Sequence, residues 1–284
     1  MSRLLPFESL LNTRDLGGMP AAVRAFMETR SLEDVMSEHY DIIGQYKQDF
    51  TRYETEDKKP YLTRIYDLIP AELNRINKRF NYSDLKKGLR YTLSEDNFVW
   101  LASAGVALPV YNVAEPAVPL MLNEKSSLFK LFLSDVGMLT TMYGRATKAM
   151  LLSNGGDINN GSLYENAVAQ ELHSHGFSLY YYNSKKIGEI DFVIEYGGKV
   201  LPIEVKSGKS YRRHSALNNV MNIANYSLGE AFVFSGSNVE VKDRVVYYPV
   251  YMIMFLENDA IPLPEIAVDD LSLYTGSLKG SRNE

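Results

Sequence analysis

The chain has 284 residues, enough for two domains or for one large domain. Its composition, 45% hydrophobic and 23% charged residues, is that of a globular protein and excludes general disorder. The net charge of −5 gives no overall basic field of the kind that indicates nucleic-acid binding.

The absence of cysteine excludes disulfides and thiolate metal sites, and it is compatible with a reducing cytoplasm. The N-terminus lacks the apolar core of a signal peptide. The most apolar stretch, residues 245–256, is interrupted by Pro249 and is too short to cross a bilayer as a helix. These features predict a soluble cytoplasmic protein that does not engage a membrane.

Residues 1–60 predict a helical segment. Met19-Pro20 is typical of a helix start, because proline is favoured at the first helical position. Val23 and Phe26 fall on one face, and apolar residues recur at helical spacing to about residue 56. A charged break, residues 54–60, follows.

Residues 61–150 predict a winged-helix-like domain. Short helical patterns come first, one with Ser83 as its N-cap and one from Ser94 to the stop signal Gly105. Strands are then expected over residues 106–113 and 128–133. Helices followed by a β-hairpin is the order of a winged helix, although the spacing also suits other small helical domains.

A basic run lies inside this second segment and contains a single acidic residue, Asp84. Its cations are Arg75, Lys78, Arg79, Lys86, Lys87 and Arg90. A solvated helix face is the more common explanation of such a run. A patch that contacts DNA phosphates is the sharper alternative.

Residues 151–284 predict a mixed α/β domain. A loop rich in Gly, Asn and Asp, residues 151–161, marks the boundary. Helix, strand, hairpin, helix and strand are then expected in that order. These expected elements are residues 162–175, 179–182, 189–195, 199–206, 215–226 and 231–234.

The hairpin carries the strongest chemical signal, GEIDFVIEYGGKVLPIEVKSG, residues 188–208. A two-residue Gly197-Gly198 loop is typical of a tight hairpin and pairs Tyr196 with Lys199. On that register Asp191 lies opposite Glu204, and Glu189 opposite Lys206 in the same way. Phe192, Ile194, Ile203 and Val205, with Ile190, are expected on the other face, against the core.

Directly opposed carboxylates repel each other, and a divalent cation would relieve the repulsion. Asp191 and Glu204 offer the hard oxygen ligands that Mg²⁺ or Mn²⁺ prefers. Lys206 could orient a water or neutralise charge that develops on a phosphate. The alternative is that Lys206 and Glu189 form surface ion pairs on a solvated sheet face.

Glu165 offers a third carboxylate. Ser162-x-x-Glu165 has the form of a capping box, which explains the glutamate structurally. In the functional alternative Glu165 projects from its helix toward the hairpin and completes the metal site.

These segments resemble the C-terminal region of a group of prokaryotic AAA-type ATPases, whose last domain resembles the PD-(D/E)XK nuclease superfamily. The resemblance rests on GSLYENAVAQEL (161–172) and EIDFVIEYGGKVLPIEVKSGKS (189–210). Upstream it includes GGMPAAVRAF (17–26), IPAELNRINKRFNYSDLKKG (69–88), WLASAGV (100–106) and FKLFLSDVGML (129–139).

The superfamily implies a restriction-endonuclease-like mixed sheet with flanking helices. It also implies a helical glutamate, an aspartate on the second strand and E-x-K on the third. Glu165, Asp191, Glu204 and Lys206 match these roles in order and spacing, while Ile190 replaces the proline that many members have before the aspartate. Where many members have a helical Gln and Tyr, this chain has Asn222 and Tyr226, a difference that argues against DNA contact by that helix.

No P-loop is present, because the glycine required upstream of Gly208-Lys209-Ser210 falls at Ile203. LLPFESLL, residues 4–11, resembles the end of the ATPase module, so the chain resembles the part that follows the motor. No ATPase activity is expected. Two functions remain: a Mg²⁺-dependent DNA endonuclease, or a non-catalytic module that binds DNA, a protein partner or the ATPase module.

Overall fold

The computed structural model describes residues 17–53, 59–87, 95–152 and 160–258. Within these ranges the chain forms eight α-helices: α1 Pro20–Thr29, α2 Leu32–Tyr53, α3 Lys59–Leu73, α4 Glu95–Ser103, α5 Val136–Met142, α6 Arg145–Leu152, α7 Gly161–Ser174 and α8 Ser215–Met221. No helix in the described ranges combines the length and the apolar character that a membrane crossing requires.

Eight described strands form one mixed sheet in the order β2-β1-β3-β4-β5-β6-β8-β7. Their bounds are β1 Ala107–Val113, β2 Glu124–Leu133, β3 Tyr180–Ser184, β4 Gly188–Tyr196, β5 Lys199–Lys206, β6 Ala231–Ser235, β7 Glu240–Lys242 and β8 Val245–Pro249. The predicted fold class is confirmed: an α-rich N-terminal part precedes a mixed sheet with flanking helices.

The helix predicted over residues 20–56 is two helices, α1 and α2. Pro20 lies in the first turn of α1, as predicted. The chain breaks at Arg30, which adopts a left-handed conformation (φ 56°) and donates its backbone N–H to Phe26 O. This C-cap ends α1 and turns the chain into α2.

The predicted hairpin of residues 106–133 is present, but it is not a free wing. β1 pairs antiparallel with β2 and parallel with β3, so both strands are part of the large sheet. Strands from residues 61–150 and from residues 151–284 therefore share one sheet. Winged-helix identity and the two domain boundaries stay predictions; residues 153–159 of the boundary loop lie outside the described part of the chain.

The sequence predicted Ser83 as the N-cap of a helix, and this prediction is wrong. The residues Tyr82–Asp84 form a short 3₁₀-helix, and Asn81 caps it by accepting a hydrogen bond from Ser83 N. The predicted helix start Ser94 lies outside the described residues, while Gly105 (φ 68°) follows α4 as predicted.

An aromatic cluster fastens the segment before this 3₁₀-helix to the sheet. Phe80, Phe98 and Phe129 are buried, and their ring centroids lie 4.8–6.2 Å from one another. Phe80 N also donates to Phe129 O at 2.9 Å. The chain just upstream of Phe80 is thereby held next to β2.

The C-terminal elements follow the predicted order with shifted ends. The helix expected over residues 215–226 ends as α8 at Met221, and Ala224–Tyr226 is a separate 3₁₀-helix. β7 was not predicted, because three residues are too few to show a period. The apolar stretch of residues 245–256 is β8 followed by the 3₁₀-helix Val250–Phe255.

Asn166 of α7 fixes this helix against the end of β2. Its side chain accepts from Leu133 N (2.9 Å) and donates to Leu133 O (3.0 Å), and both residues are buried. The Asn166 amide thus supplies hydrogen-bond partners to the N–H and C=O of Leu133, as a neighbouring strand would, and these buried backbone groups would otherwise lack them.

We expect Asn166→Ala to lower the free energy of unfolding by about 1–3 kcal/mol, since it leaves a buried N–H and C=O without partners. The matched control is His173→Ala on an exposed position of the same helix, expected to change it by less than about 0.5 kcal/mol. Urea denaturation measures both, and equal effects would contradict this role of Asn166.

Candidate functional site

The hairpin β4–β5 has the turn and the register that its sequence predicts. Gly197 (φ 56°) and Gly198 (φ 74°) occupy the loop, where a tight turn requires positive φ at both positions. Tyr196 pairs with Lys199, and the same register continues to Phe192 opposite Ile203. The part of the hairpin that leads to Asp191 and Glu204 is therefore confirmed.

On its other side β4 contains a β-bulge next to Asp191. Tyr182 of β3 pairs with Ile190, whereas Tyr180 pairs with Val193, so β4 has one more residue than β3 in this interval. A bulge reorients the side chains beside it. Ile190 accordingly packs in a different core cluster from Phe192, although the alternation along the strand predicted one face for both.

Glu165 lies on the second turn of α7 and is not part of a capping box. α7 begins at Gly161 with Asn160 as its N-cap, so Ser162 is already inside the helix. The Ser162 hydroxyl is buried and donates to Asn74 Oδ1 at 3.1 Å. The capping box predicted for Glu165 is thus wrong, and its carboxyl is buried on the second turn of the helix.

The four residues that the sequence singled out lie close enough to act on one another electrostatically. Lys206 Nζ donates to Glu204 Oε2 at 2.6 Å, and Val205 N donates to Asp191 Oδ2 at 2.9 Å. The charge of Asp191 acts on both Glu204 and Glu165. α7, β4 and β5 thus assemble one cluster.

A buried lysine of β2, which the sequence analysis missed, completes the cluster. The side chain of Lys130 is 0% exposed, and its Nζ lies 2.6 Å from Glu189 Oε1 and 4.0 Å from Asp191 Oδ1. Glu189 therefore pairs with the buried Lys130, and Lys206 pairs with Glu204. The alternative of surface ion pairs for Glu189 and Lys206 does not describe this arrangement of Glu189. The available signal was a cation inside the apolar run of residues 128–133, since a lysine is almost never fully buried without an acid.

Lys78 also belongs to this cluster, although the sequence placed it in a patch for DNA phosphates. Its ammonium contacts Glu165 Oε1, and its side chain is largely buried. The aromatic anchor at Phe80, two residues later, holds this part of the chain over the sheet.

The rest of the predicted basic patch is divided. Arg75 forms ion pairs with Glu72 (3.0 Å) and Asp84 (2.5 Å). Arg75 is nonetheless exposed, as are three further cations of the run, and Arg90 lies outside the described residues. The three are Arg79, Lys86 and Lys87.

The pKa values of the two central carboxylates, Asp191 and Glu204, are shifted in opposite directions. Burial raises the pKa of Glu204 well above its usual range, and Asp191 raises it further, against the lowering by Lys206. Burial also acts to raise the pKa of Asp191, but Lys130, Lys206 and Lys78 together hold it below its ordinary value. Asp191 is therefore the ionised member of the pair, and Glu204 retains a proton more readily.

Asp191 and Glu204 are two carboxylates that could hold a divalent cation, whereas a site with three protein ligands is not found among the described residues. In the described part of the chain no three acidic or histidine side chains converge on a metal position. Mg²⁺ commonly takes one or two carboxylates and completes its shell with water and phosphate oxygens, which suits Asp191 and Glu204. Glu165 Oε2 is buried and has no hydrogen-bond partner, but Glu165 does not form a three-ligand group with these two carboxylates.

The opposite pKa shifts predict opposite stability effects at neutral pH. Glu204→Gln should raise the free energy of unfolding by about 1–3 kcal/mol, because a neutral amide avoids both the burial of a charge next to Asp191 and the proton uptake that the raised pKa of Glu204 otherwise requires at neutral pH. Asp191→Asn should lower it by about 1–3 kcal/mol, because it removes the anion that compensates three lysines.

The pH dependence follows from linkage. A raised pKa means that ionisation of Glu204 costs stability above its ordinary value of 4.5, so the gain in Glu204→Gln should shrink toward pH 4. The stability that ionised Asp191 contributes is lost as the pH falls below 3.8 through its lowered pKa. Thermal denaturation without metal from pH 3 to 8 measures both, and a stabilised Asp191→Asn protein would contradict the assignment.

Comparison with known proteins gives two family matches. Residues 160–264 match a domain of unknown function (DUF4143), and residues 14–149 match another domain of unknown function (DUF8612). No curated protein and no solved structure matches the chain. Glu165 and the hairpin residues lie in the first range, whereas Lys78 and Lys130 lie in the second. Over residues 160–264 the chain is thus similar to a domain that is found in AAA-ATPase-associated proteins.

Proposed function

We propose that this protein is a metal-dependent phosphodiesterase that hydrolyses DNA. The observation that carries the proposal is the convergence of Glu165, Asp191, Glu204 and Lys206 from three separate elements into one buried cluster. Two carboxylates beside a lysine form the acidic and basic set that metal-assisted phosphoryl chemistry uses.

Asp191 and Glu204 would hold a cation, Mg²⁺ or Mn²⁺, which when bound would activate a water and neutralise charge on the phosphate. Asp191 is ready for this role because the neighbouring lysines keep it ionised. Glu165 supports the pair through its unpartnered oxygen.

Lys206 acts on the substrate. Its side chain is 31% exposed, against 2% for Glu204 and 26% for Glu189, so this ammonium is the most exposed charged group of the cluster. The Lys206 ammonium lies 2.6 Å from Glu204 Oε2. From there it orients the attacking water and stabilises charge that develops on a nonbridging phosphate oxygen.

Arg79, Lys86 and Lys87 bind the DNA backbone on the outside of the site. They are exposed and lie close in sequence to Lys78, which reaches the cluster itself. Contacts of this kind hold the duplex through phosphates without reading its sequence. We place the activity in the cytoplasm, together with an ATPase partner of the kind that the DUF4143 match suggests.

A second candidate function is a non-catalytic binding module of such an ATPase. It is favoured by Lys78, Lys130 and Lys206, which already compensate most of the carboxylate charge without any metal. In this alternative the cluster is a structural ion-pair network, and the exposed cations bind DNA or a protein.

Cleavage of supercoiled, linear and branched DNA with Mg²⁺ or Mn²⁺ separates the two functions. We expect metal-dependent cleavage that falls about 100-fold or more in Asp191→Asn and in Lys206→Ala, since each removes a group that acts on the reacting phosphate.

Matched controls exist for both variants. Lys199 is exposed at the other end of β5, and Asp243 is exposed in the turn before β8. Lys199→Ala and Asp243→Asn should keep full activity. No cleavage by the wild-type protein of any of these substrates, with either metal, would favour the binding module.

DNA affinity tests the exposed basic residues. Reversing Arg79, Lys86 and Lys87 to Glu should weaken binding, and each lost phosphate contact should reduce the slope of log affinity against log salt by about 0.9. A control with the same charge change reverses Arg24, Arg52 and Lys199, which are also exposed. Fluorescence anisotropy from 50 to 200 mM salt measures both; equal slopes in the two variants would exclude this surface.

A further inference from the structure

Lys130 is a cation built into the interior of the cluster. Its side chain is completely buried, and the neighbouring strand residues Phe129 and Leu131 are buried as well. The ammonium lies 5.0 Å from the centroid of the Tyr181 ring, a second favourable contact for a positive charge. Burying an ammonium is costly, so its position requires the acids around it.

The ammonium lies between two carboxylates, where a bridging ion would bind. Lys130 Nζ is 2.6 Å from Glu189 and 4.0 Å from Asp191. Asp191 directs its other oxygen, Oδ2, to Val205 N beside Glu204. In two-metal phosphoesterases a pair of cations lies about 3.5–4 Å apart and shares carboxylates in this manner.

The net charge of the cluster also favours a single divalent cation. Four carboxylates (Glu165, Glu189, Asp191 and Glu204) face three ammonium groups (Lys78, Lys130 and Lys206). One divalent cation leaves this set at +1 when every group is ionised, which complements the single negative charge of a phosphodiester. A second divalent cation would have to enter beside the completely buried ammonium of Lys130.

We propose that the ammonium of Lys130 occupies the position of a second metal, so that the centre takes one divalent cation. This inference rests on the proposed metal-dependent function and specifies its ion stoichiometry. Lys130 is a positioning residue: it touches neither substrate nor metal, and it holds Asp191 and Glu189 in place by its charge.

A purely structural role for Lys130, as the ion-pair partner of Glu189, predicts something different. In that case its removal destabilises the fold without changing how many ions bind. The number of ions bound per chain therefore separates the two roles, because loss of stability alone does not create a metal site.

The experiment is a Mn²⁺ titration of the full chain, followed by electron paramagnetic resonance and calorimetry. Wild type should bind one Mn²⁺. Lys130→Met should bind two, with Glu189 and Asp191 as ligands of the second. Lys130→Met/Glu189→Gln should return to one, since it lacks a ligand of the second ion. Lys125→Met, an exposed position of the same strand, is the matched control and should bind one.

Two ions in wild type, or one ion in a folded Lys130→Met protein, would overturn the inference and leave the proposed function intact. No ion in wild type would overturn both. If Lys130→Met does not fold, Glu189→Gln decides: its Mn²⁺ affinity should stay within about threefold of wild type, and a tenfold loss would show that Glu189 is itself a ligand and contradict the inference.

Discussion

Compensation of buried charge is the constraint on which the rest of this structure depends. Glu204 and Glu165 are almost completely buried near Asp191, and Lys130 is completely buried beside them. An isolated charge in such a position is strongly destabilising, whereas paired charges can be accommodated. The lysines do more than neutralise the acids: by acting unequally on Asp191 and Glu204 they separate the pKa values of the two carboxylates.

This constraint joins the two parts of the chain. The acids come from α7 and the β4–β5 hairpin, but two of the three compensating cations come from upstream, Lys78 before the 3₁₀-helix and Lys130 from β2. β1 also pairs with β3, and Asn166 joins α7 to β2. Hydrogen bonds to the backbone therefore connect the same two parts of the chain. The two family matches divide the chain between 149 and 160, while the cluster takes residues from both sides of that division.

The sequence predicted the local part of this arrangement. A Gly-Gly turn between alternating strands determines a register, and that register brings Asp191 near Glu204 without any knowledge of the fold. Lys130 and Lys78 could not be assigned in this way, because their partners Glu189 and Glu165 lie 59 and 87 residues away respectively. The bulge beside Asp191 was equally hidden, since it depends on how β3 pairs with β4. The capping box at Glu165 failed because Ser162 has a tertiary partner, Asn74, that no local pattern reveals.

The central claim is that Asp191 and Glu204 together hold a divalent cation. Crystals grown or soaked with Mn²⁺ and measured at a wavelength with strong manganese anomalous scattering test it most directly. We expect one anomalous peak, at about 2.1 Å from a carboxylate oxygen of each residue, with water in the remaining positions. A crystal saturated with Mn²⁺ that shows no peak between these two carboxylates would contradict it.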